Sequence, residues 1–98
     1  MSVIAVLEFR LRPETLSEGL PVLHEVLQET RTFAGCRSVE VMVDQADPAH
    51  LVVVEHWESM EADEAYREFR AGPGAPTALG PHLAGAPVLT KGVLDPSI

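Results

Sequence analysis

Apolar residues alternate with other residues in several segments, and this alternation predicts the strands of a sheet. In residues 2–12 the apolar side chains occupy every second position, which predicts a strand with one apolar face and one mixed face. The same pattern recurs in CRSVEVMVD at 36–44, and HLVVVEHW at 50–57 is predicted as the third strand. The turn cluster QADPA separates these two segments, so together they predict an antiparallel hairpin. A last segment, PVLTKGVL at 87–94, predicts a fourth strand.

Two other segments have the spacing of helices. Residues 15–18 have the capping-box form, and leucines follow at helical intervals as far as about Arg31. Because Pro21 interrupts this segment, either the helix bends there or its regular part begins near Pro21. A second helix is predicted after Ser59, a favourable N-cap. Its apolar stripe comprises Ala62, Ala65, Tyr66 and Phe69. Residues 76–83 predict a short, irregular helical piece.

The resulting order is β-α-β-β-α-β, which is the order of the ferredoxin-like α+β sandwich. In that fold two helices cover one face of a four-stranded antiparallel sheet. The chain has 98 residues, a length that suits one domain. It contains no repeat, low-complexity tract or linker, so residues 1–98 are expected to form a single domain.

Charge and composition narrow the range of partners. The net charge is −8, so neither nucleic acid nor an anionic membrane surface is an expected partner. No apolar stretch approaches membrane length, and the start of the chain lacks the basic region of a signal peptide. The single cysteine, Cys36, can form no internal disulfide, and no zinc-binding spacing exists. These features predict a cytoplasmic protein in a reducing compartment.

Four stretches carry a resemblance to a known family. RPET follows the first strand, ETRTFAGC leads into the second, DQADPAHLVVVEHWES spans the hairpin, and LAGAPV precedes the last strand. In this order and spacing they resemble the antibiotic biosynthesis monooxygenase (ABM) domain over nearly the whole chain. The most specific parts are the Gly35-Cys36 junction and the Glu55-x-Trp57-x-Ser59 motif.

The resemblance implies a homodimer of the dimeric α/β-barrel type. Two ferredoxin-like subunits press their uncovered sheet faces together, and each keeps a pocket between its sheet and its helices. Four apolar side chains would pack across the dimer: Ile4, Val6, Val52 and Val54. Four polar side chains on the same face could form pairs there: Glu8, Arg10, Glu40 and His56.

Three residues are candidates for chemistry in such a pocket. His24 lies on the first helix and is the natural proton acceptor near neutral pH, although a histidine at such a position is more often structural. Tyr66 could donate a hydrogen bond to a substrate oxygen; with an ordinary pKa of about 10 it is a poor base. ABM domains often have His at this point, nine residues after the Trp. Trp57 would be a stacking wall or simply part of the core.

Further side chains are expected to line or close the pocket. Arg31 could anchor a phenolate or carboxylate, or could simply place a cation at a helix C-terminus. Glu55, if it faces inward, needs a partner, and a structural salt bridge is an alternative to a role in binding. His82 could close the pocket mouth. Val53, Leu27 and Phe69 complete the predicted lining, whereas His50 is expected to lie exposed in the hairpin turn.

Family members include cofactor-free oxygenases of aromatic polyketides and quinols, haem-degrading enzymes and a signal-sugar isomerase. The resemblance therefore suggests, if the chain is an enzyme, a monooxygenase that acts on an aromatic or quinol-type small molecule without cofactor or metal. The alternative is a non-catalytic, ligand-binding or stress-associated dimer. Haem degradation is disfavoured because the matching positions are Leu7, Tyr66 and Pro76, and the Asn and axial His of that branch are missing unless a gap brings in His82.

Overall fold

A computed structural model describes residues 2–98 and has the predicted order of elements. Its strands are β1 (Val3–Arg10), β2 (Cys36–Asp44), β3 (Asp47–Trp57) and β4 (Val88–Val93), and its helices are α1 (Leu16–Arg31) and α2 (Met60–Ala71). Short 3-10 turns lie at Pro13–Thr15 and Gly80–His82. Neither of the two α-helices has the length and apolar character needed to cross a membrane.

The four strands form one antiparallel sheet in the order β2-β3-β1-β4. Ala5 pairs with Glu55 on β3 and with Lys91 on β4, so these three side chains lie side by side on the face that the helices cover. This arrangement confirms the predicted ferredoxin-like α+β fold. It also places two charged residues on the covered face, where they need partners from the helices.

The core beneath the helices has two parts. Under α1, Phe9, Leu51 and Val53 of the sheet pack against Leu23 and Leu27. Under α2, a second cluster joins Val3, Ala5, Trp57 and Tyr66, with Phe33 packed against it. The Trp57 and Tyr66 rings lie 5.0 Å apart and are tilted by 35°. The aromatic residues are therefore concentrated under one helix, and the aliphatic residues under the other.

The start of α1 differs from the sequence-based prediction. The helix begins at Leu16 and continues through Pro21, so the alternative in which its regular part begins at Pro21 is wrong. The predicted capping box is also absent, because the Thr15 side chain makes no capping hydrogen bond. Its hydroxyl instead lies 3.0 Å from Nδ1 of His82, which ties the start of α1 to the loop before β4.

Two other predicted helix signals are confirmed. The Ser59 hydroxyl accepts a hydrogen bond of 3.1 Å from the Ala62 backbone N–H and so caps α2. Gly35 has a φ of +87°, a conformation that L-residues with a side chain rarely adopt, and an added Cβ would lie 2.5 Å from the Ala62 Cβ. The tight turn into β2 therefore needs glycine for two reasons.

The hairpin turn is shorter than predicted. Asp47, Pro48 and Ala49 belong to β3, which leaves a turn of two residues, Gln45 and Ala46. His50 consequently lies within β3 and is half-buried, not exposed in the turn as predicted. Its ring nitrogens contact Asp44 (2.8 Å) and Glu8.

The other face of the sheet has no helix over it. Its apolar side chains are half-buried along the centre, at Ile4, Val6, Val52 and Val54, and strongly exposed at Met42 (59%) and Val88 (62%). The polar residues predicted to pair across a dimer already have partners within the chain. Arg10 pairs with Asp47, Glu8 pairs with His50, and His56 lies 3.7 Å from Glu40.

Candidate functional site

A cavity of about 160 Å³ lies between the covered face of the sheet and the two helices. Most of its wall is apolar. The sheet and α1 contribute Leu7, Phe9, Val53, Leu23, Val26 and Leu27, and the segment before β4 contributes Pro76, Leu79, Leu83 and Pro87. The polar part of the wall consists of Glu55, Tyr66, Arg67 and Arg70. Such a site can hold a small apolar body and present it to one carboxylate and two guanidinium groups.

Four of the predicted site residues line this cavity: Leu27, Val53, Glu55 and Tyr66. Two predicted aromatic residues lie behind it. Trp57 is fully buried beneath the Tyr66 ring, and Phe69 packs against Phe33 at 5.3 Å, so neither forms the wall. The predicted stacking role of Trp57 is therefore corrected to support of Tyr66 from behind.

Three other predicted residues lie away from the cavity. His24 is on the exposed side of α1, because it follows Leu23 by one residue and a helix turns about 100° per residue. Arg31 donates hydrogen bonds to Gln28 (2.8 Å) and to the Val39 carbonyl (3.2 Å). His82 packs against Gly19 and contacts Thr15. These placements do not support His24 as the base, Arg31 as the anchor or His82 as the closure of the pocket.

The first group of charged residues, the inner cluster, consists of Glu55, Asp63, Arg67 and Lys91. Arg67 donates hydrogen bonds to Glu55 and, at 3.2 Å, to Asp63. The Trp57 indole N–H donates to the same Glu55 oxygen, Oε1, at 3.1 Å. The side chain of Asp63 is completely buried and that of Glu55 is 2% exposed. Two cations thus compensate two carboxylates that would otherwise be very costly to bury.

Lys91 contributes to the inner cluster through an ion pair. Its Nζ lies 2.9 Å from Oδ2 of Asp63, although Oδ2 accepts no hydrogen bond within the described residues. The ion pair is the relevant interaction, since attraction between opposite charges depends on distance much more than on angle. Asp63 therefore joins α2 to β4 electrostatically.

The second group, the outer cluster, consists of Glu29, Thr30, Tyr66 and Arg70. Arg70 Nε donates to the Tyr66 hydroxyl at 2.8 Å, and that hydroxyl lies 2.6 Å from Thr30 Oγ1. Thr30 in turn donates to the Val26 carbonyl at 3.1 Å. Either hydroxyl can be the donor in the bond between Tyr66 and Thr30. The Tyr66 oxygen already accepts from Arg70, and its hydrogen bonds hold the hydroxyl at the cavity wall.

Arg70 joins the two helices through further bonds. It donates to the carbonyls of Val26 (2.9 Å) and Gly74 (3.0 Å) and to Glu29 Oε1 (2.7 Å). Burial alone would lower the pKa of Arg70, but its bonds to Tyr66 and Glu29 outweigh that effect and raise the pKa above its ordinary value. The guanidinium is thus a permanent positive charge on the cavity wall.

Comparison with protein families identifies the chain. A profile of the antibiotic biosynthesis monooxygenase family matches residues 2–73, which include both helices and the first three strands. The chain belongs to the antibiotic biosynthesis monooxygenase family. No match is found among functionally curated proteins.

Solved structures share the architecture over almost their full length. Rv0793 from Mycobacterium tuberculosis is 25% identical, with a TM-score of 0.76 and coverage of 100% of both chains. A candidate antibiotic biosynthesis monooxygenase from Deinococcus radiodurans is 23% identical, with a TM-score of 0.82 and coverage of 98% of this chain and 95% of that one. A candidate from Caulobacter crescentus CB15 is 22% identical, with a TM-score of 0.78 and coverage of 92% and 86%. These structural similarities show that the chain has the same fold as these proteins.

The positions that correspond to the haem-degrading branch of the antibiotic biosynthesis monooxygenase family do meet at the cavity. Leu7, Tyr66 and Pro76 all line it, and His82 does not. None of the three offers a free imidazole, and the Tyr66 hydroxyl is already hydrogen-bonded. Within the described residues no three His, Cys, Asp or Glu side chains converge to hold a metal ion.

The sequence-based prediction missed Asp63, Arg67 and Arg70. With Tyr66 they occupy positions i, i+3, i+4 and i+7 of α2, the spacing of one helix face. That face points inward, although three of its four residues are charged. Ala65, placed on the predicted apolar stripe, is exposed. Their spacing of three and four residues is the sequence signal that indicates a shared helix face.

Proposed function

We propose that this member of the antibiotic biosynthesis monooxygenase family is a cofactor-independent monooxygenase of a single-ring phenol or hydroquinone. The observation that carries the proposal is the composition of the cavity wall. An apolar enclosure opens onto one carboxylate, Glu55, and two guanidinium groups, Arg67 and Arg70. This is the set of groups that can remove a phenolic proton and stabilise the anion left behind.

The volume of the cavity limits the size of the substrate. About 160 Å³ is close to the roughly 150 Å³ of an engineered apolar cavity that binds benzene. Sites for drug-sized ligands begin at about 300 Å³. A single ring with small substituents therefore fits without rearrangement, whereas fused polycyclic compounds and haem would require the helices to move away from the sheet.

Glu55 takes the role of the proton acceptor that the sequence had suggested for His24. Both of its side-chain hydrogen bonds within residues 2–98 fall on Oε1, so Oε2 remains free to accept a proton. A carboxylate paired with a guanidinium is a weak base, and a phenol is a weak acid. The transfer becomes feasible because the phenolate forms beside Arg67 and Arg70, whose charges stabilise it in an enclosed, poorly solvated site.

The proposed reaction balances without an external reductant. The phenolate gives one electron to dioxygen, and the resulting radical pair combines at a ring carbon that carries hydrogen, ortho or para to the phenolate oxygen, to form a peroxide. Loss of water from the peroxide leaves a quinone. The substrate thus loses two hydrogen atoms and gains one oxygen atom, and the second oxygen atom leaves as water. The protein contributes position, exclusion of solvent and proton transfer.

A second candidate function is ligand binding without catalysis. The observation that favours it is that the polar groups of the wall have partners already: the Tyr66 hydroxyl is hydrogen-bonded to Thr30 and Arg70, and both guanidinium groups are in ion pairs. A cavity whose polar groups are satisfied internally can bind a ring by burial of apolar surface alone.

Oxygen consumption separates the two candidates. Purified protein is supplied with hydroquinone and with substituted single-ring phenols in an oxygen electrode, and ligand binding is measured in parallel by thermal shift. Under the proposal, Glu55→Gln lowers turnover by about a hundredfold, the range of general base catalysis, while ligand binding persists. Glu64→Gln, an exposed carboxylate on α2, is the matched control. Binding with no oxygen uptake in the wild type would establish the non-catalytic function.

We further propose that the chain is a homodimer joined through its uncovered sheet faces. A second copy would bury the exposed Met42 side chain and the apolar centre of the face. Val54→Lys at that centre is expected to give a monomer in size-exclusion chromatography with light scattering. Ala65→Lys, on an exposed helix position, should leave the dimer intact. A wild-type monomer at all concentrations would contradict the proposal.

The cytoplasm is the compartment that we propose for this protein. Cys36 is half-buried, and burial together with the nearby Glu55 raises the pKa of its thiol. A single thiol of this kind is inert and fits a reducing environment.

A further inference from the structure

We propose that Arg70 forms an anion-binding gate between the cavity and the outer surface, and that the preferred ligand is a single-ring aromatic monocarboxylate. This proposal deepens the proposed function, because it rests on the same cavity as the phenol site. It concerns the carboxylate substituent of the ligand and the residues that would recognise it.

The gate is defined by two neighbouring spaces. On the outer surface an open groove of about 630 Å³ lies between α1 and the segment 73–76. Val26, Arg70 and Pro76 line both this groove and the inner cavity. The Arg70 side chain therefore forms part of the partition between them. A ligand that crosses at this point must pass beside the guanidinium.

Arg70 can exchange a partner at low cost, whereas Arg67 cannot. The carboxylates that hold Arg67 have exposed fractions of 2% or less, and removal of either would leave buried charges without compensation. The only carboxylate on Arg70 is Glu29, whose side chain is 55% exposed. Exposed ion pairs of this kind are weak, so Glu29 can leave for solvent when another carboxylate arrives.

The remaining bonds of Arg70 keep the guanidinium in place during such an exchange. Its Nε and Nη2 atoms are held by Tyr66, Thr30 and the Val26 carbonyl, while Nη1 bonds to Glu29 and to the Gly74 carbonyl. A ligand carboxylate needs to replace only Glu29 at Nη1. The aromatic ring then occupies the apolar cavity, with its hydroxyl group available to Glu55.

The charge around the gate limits the ligand to a single negative charge. Glu25 and Glu29 both line the groove, against the one guanidinium of Arg70. Two carboxylates repel a dianion such as a phosphate ester more strongly than they repel a carboxylate. A planar carboxylate is also well suited to hydrogen bonding with a guanidinium group.

The test compares 2,5-dihydroxybenzoate with hydroquinone, which has the same ring and hydroxyl groups but no carboxylate. Dissociation constants are measured by isothermal titration calorimetry for the wild type, Arg70→Gln and Glu29→Gln. Glu18→Gln is the control, because Glu18 is exposed on the same helix, outside the groove, and the charge change is the same.

The two test variants should change the dissociation constant of 2,5-dihydroxybenzoate in opposite directions. Arg70→Gln should weaken 2,5-dihydroxybenzoate about tenfold more than it weakens hydroquinone, the value of one charge-assisted hydrogen bond. Glu29→Gln should tighten 2,5-dihydroxybenzoate by about two- to fivefold, because the competing carboxylate is gone. Glu18→Gln should change neither constant. If Arg70→Gln does not fold, the Glu29→Gln measurement decides alone.

The possible failures can be told apart. The gate is overturned if hydroquinone binds as tightly as 2,5-dihydroxybenzoate or more tightly. It is also overturned if Glu29→Gln binds both compounds as Glu18→Gln does. Neither result affects the cavity or the proposed oxygenation. If neither compound binds, both proposals fall. The expected binding pattern without oxygen uptake would retain the gate and overturn the monooxygenase function.

Discussion

Arg67 and Arg70 lie three residues apart on α2 and line the same cavity, yet their surroundings give them different roles. Arg67 belongs to the inner cluster, where its partners Glu55 and Asp63 are almost completely buried. Arg70 belongs to the outer cluster, where two hydroxyl groups, two carbonyls and the exposed Glu29 receive its hydrogen bonds. The comparison shows that the burial of the paired carboxylate, not the type of the cation, decides whether an arginine can exchange that carboxylate for one of a ligand.

The energies of the two clusters follow from the same difference. In the inner cluster each charge has been removed from water, so the pairs must be complete for their mutual attraction to offset desolvation. In the outer cluster most acceptors are neutral, and the only ionic partner keeps much of its contact with water. Loss of a charge should therefore be costly at Asp63 and cheap at Glu29, although both carboxylates pair with an arginine of the same helix.

Replacement of Asp63 is expected to have the largest effect. Asp63→Asn keeps the shape of the side chain but leaves Arg67 and Lys91 with only Glu55 to compensate them, so the free energy of unfolding should fall by about 3 kcal/mol. Urea unfolding followed by circular dichroism measures the loss. The matched control is Glu64→Gln on the exposed side of α2, expected to change stability by less than about 0.5 kcal/mol. Equal losses for both variants would remove the distinction between buried and exposed partners.

Removal of the Tyr66 hydroxyl should have an intermediate effect. Tyr66→Phe keeps the ring against Trp57 and Phe33 but leaves Arg70 Nε without its acceptor and removes the hydrogen bond to Thr30. We expect a loss of about 1–2 kcal/mol in the free energy of unfolding, measured in the same way. Oxygen uptake by Tyr66→Phe is the second readout. A large loss of turnover at unchanged ligand affinity would assign Tyr66 a donor role towards the substrate, and unchanged turnover would make the hydroxyl purely structural.

The two clusters also show which parts of the fold and of the site could be predicted from the sequence. The period-two alternation predicted β1 and β2, because one face of the sheet is buried and side chains alternate between the faces. That parity placed Glu55 and Val53 inward correctly. On α2, three residues of the predicted apolar stripe (Ala62, Tyr66 and Phe69) pack against the core, and Ala65 is exposed. The charged residues on the inward side were missed because a helix face is normally recognised by its apolar residues. No local signal indicates that Asp63 and Arg67 will meet Glu55 and Lys91, which come from two different strands.

His24, the base predicted from the sequence, shows the same limit of sequence-based prediction. His24 and Leu23 are neighbours in sequence, and only the exact rotation of α1 decides which of them faces the cavity. The structure buries Leu23 and exposes His24. The two-residue turn of the hairpin likewise moved His50 from a predicted exposed position into β3, between two carboxylates.

Neutralisation of Glu29 should have a small effect on stability, which would sharpen the contrast with Asp63. Glu29→Gln is expected to lower the free energy of unfolding by less than about 1 kcal/mol at low salt, and by almost nothing at 1 M salt, where charges are screened within about 3 Å. Urea unfolding at the two salt concentrations measures this difference. The loss caused by Asp63→Asn should persist in high salt because that pair is buried. A Glu29→Gln loss that is as large as that of Asp63→Asn, and insensitive to salt, would show that the outer cluster is as fixed as the inner one.

His50 provides a third case, in which the cation itself can lose its charge. Hydrogen bonds to Asp44 and Glu8 raise the pKa of His50 above its ordinary value, and the bond to His50 and the Ala46 N–H lower the pKa of Asp44. Because the folded pKa of His50 is raised, its contribution to stability is fully present below its ordinary pKa of about 6.5 and is lost as pH rises through the folded pKa. The Asp44 contribution is lost in the opposite direction, as pH falls through its lowered pKa. Guanidinium groups keep their charge over this whole range, so neither arginine cluster should respond.

The measurement is the stability of the wild type and of His50→Gln between pH 5 and pH 9, with the His50 ring titrated by NMR. In the wild type, stability relative to His50→Gln should decrease as pH rises through the pKa that NMR reports. His24→Gln controls for the loss of an imidazole, because His24 is exposed on α1 and pairs with no carboxylate among the described residues. If the difference between wild type and His50→Gln is independent of pH, the two carboxylates hold His50 equally well in its neutral form. His50 would then resemble Arg67, whose partners are fixed by the fold, and would differ from Arg70, whose ion pair with the exposed Glu29 is exchangeable.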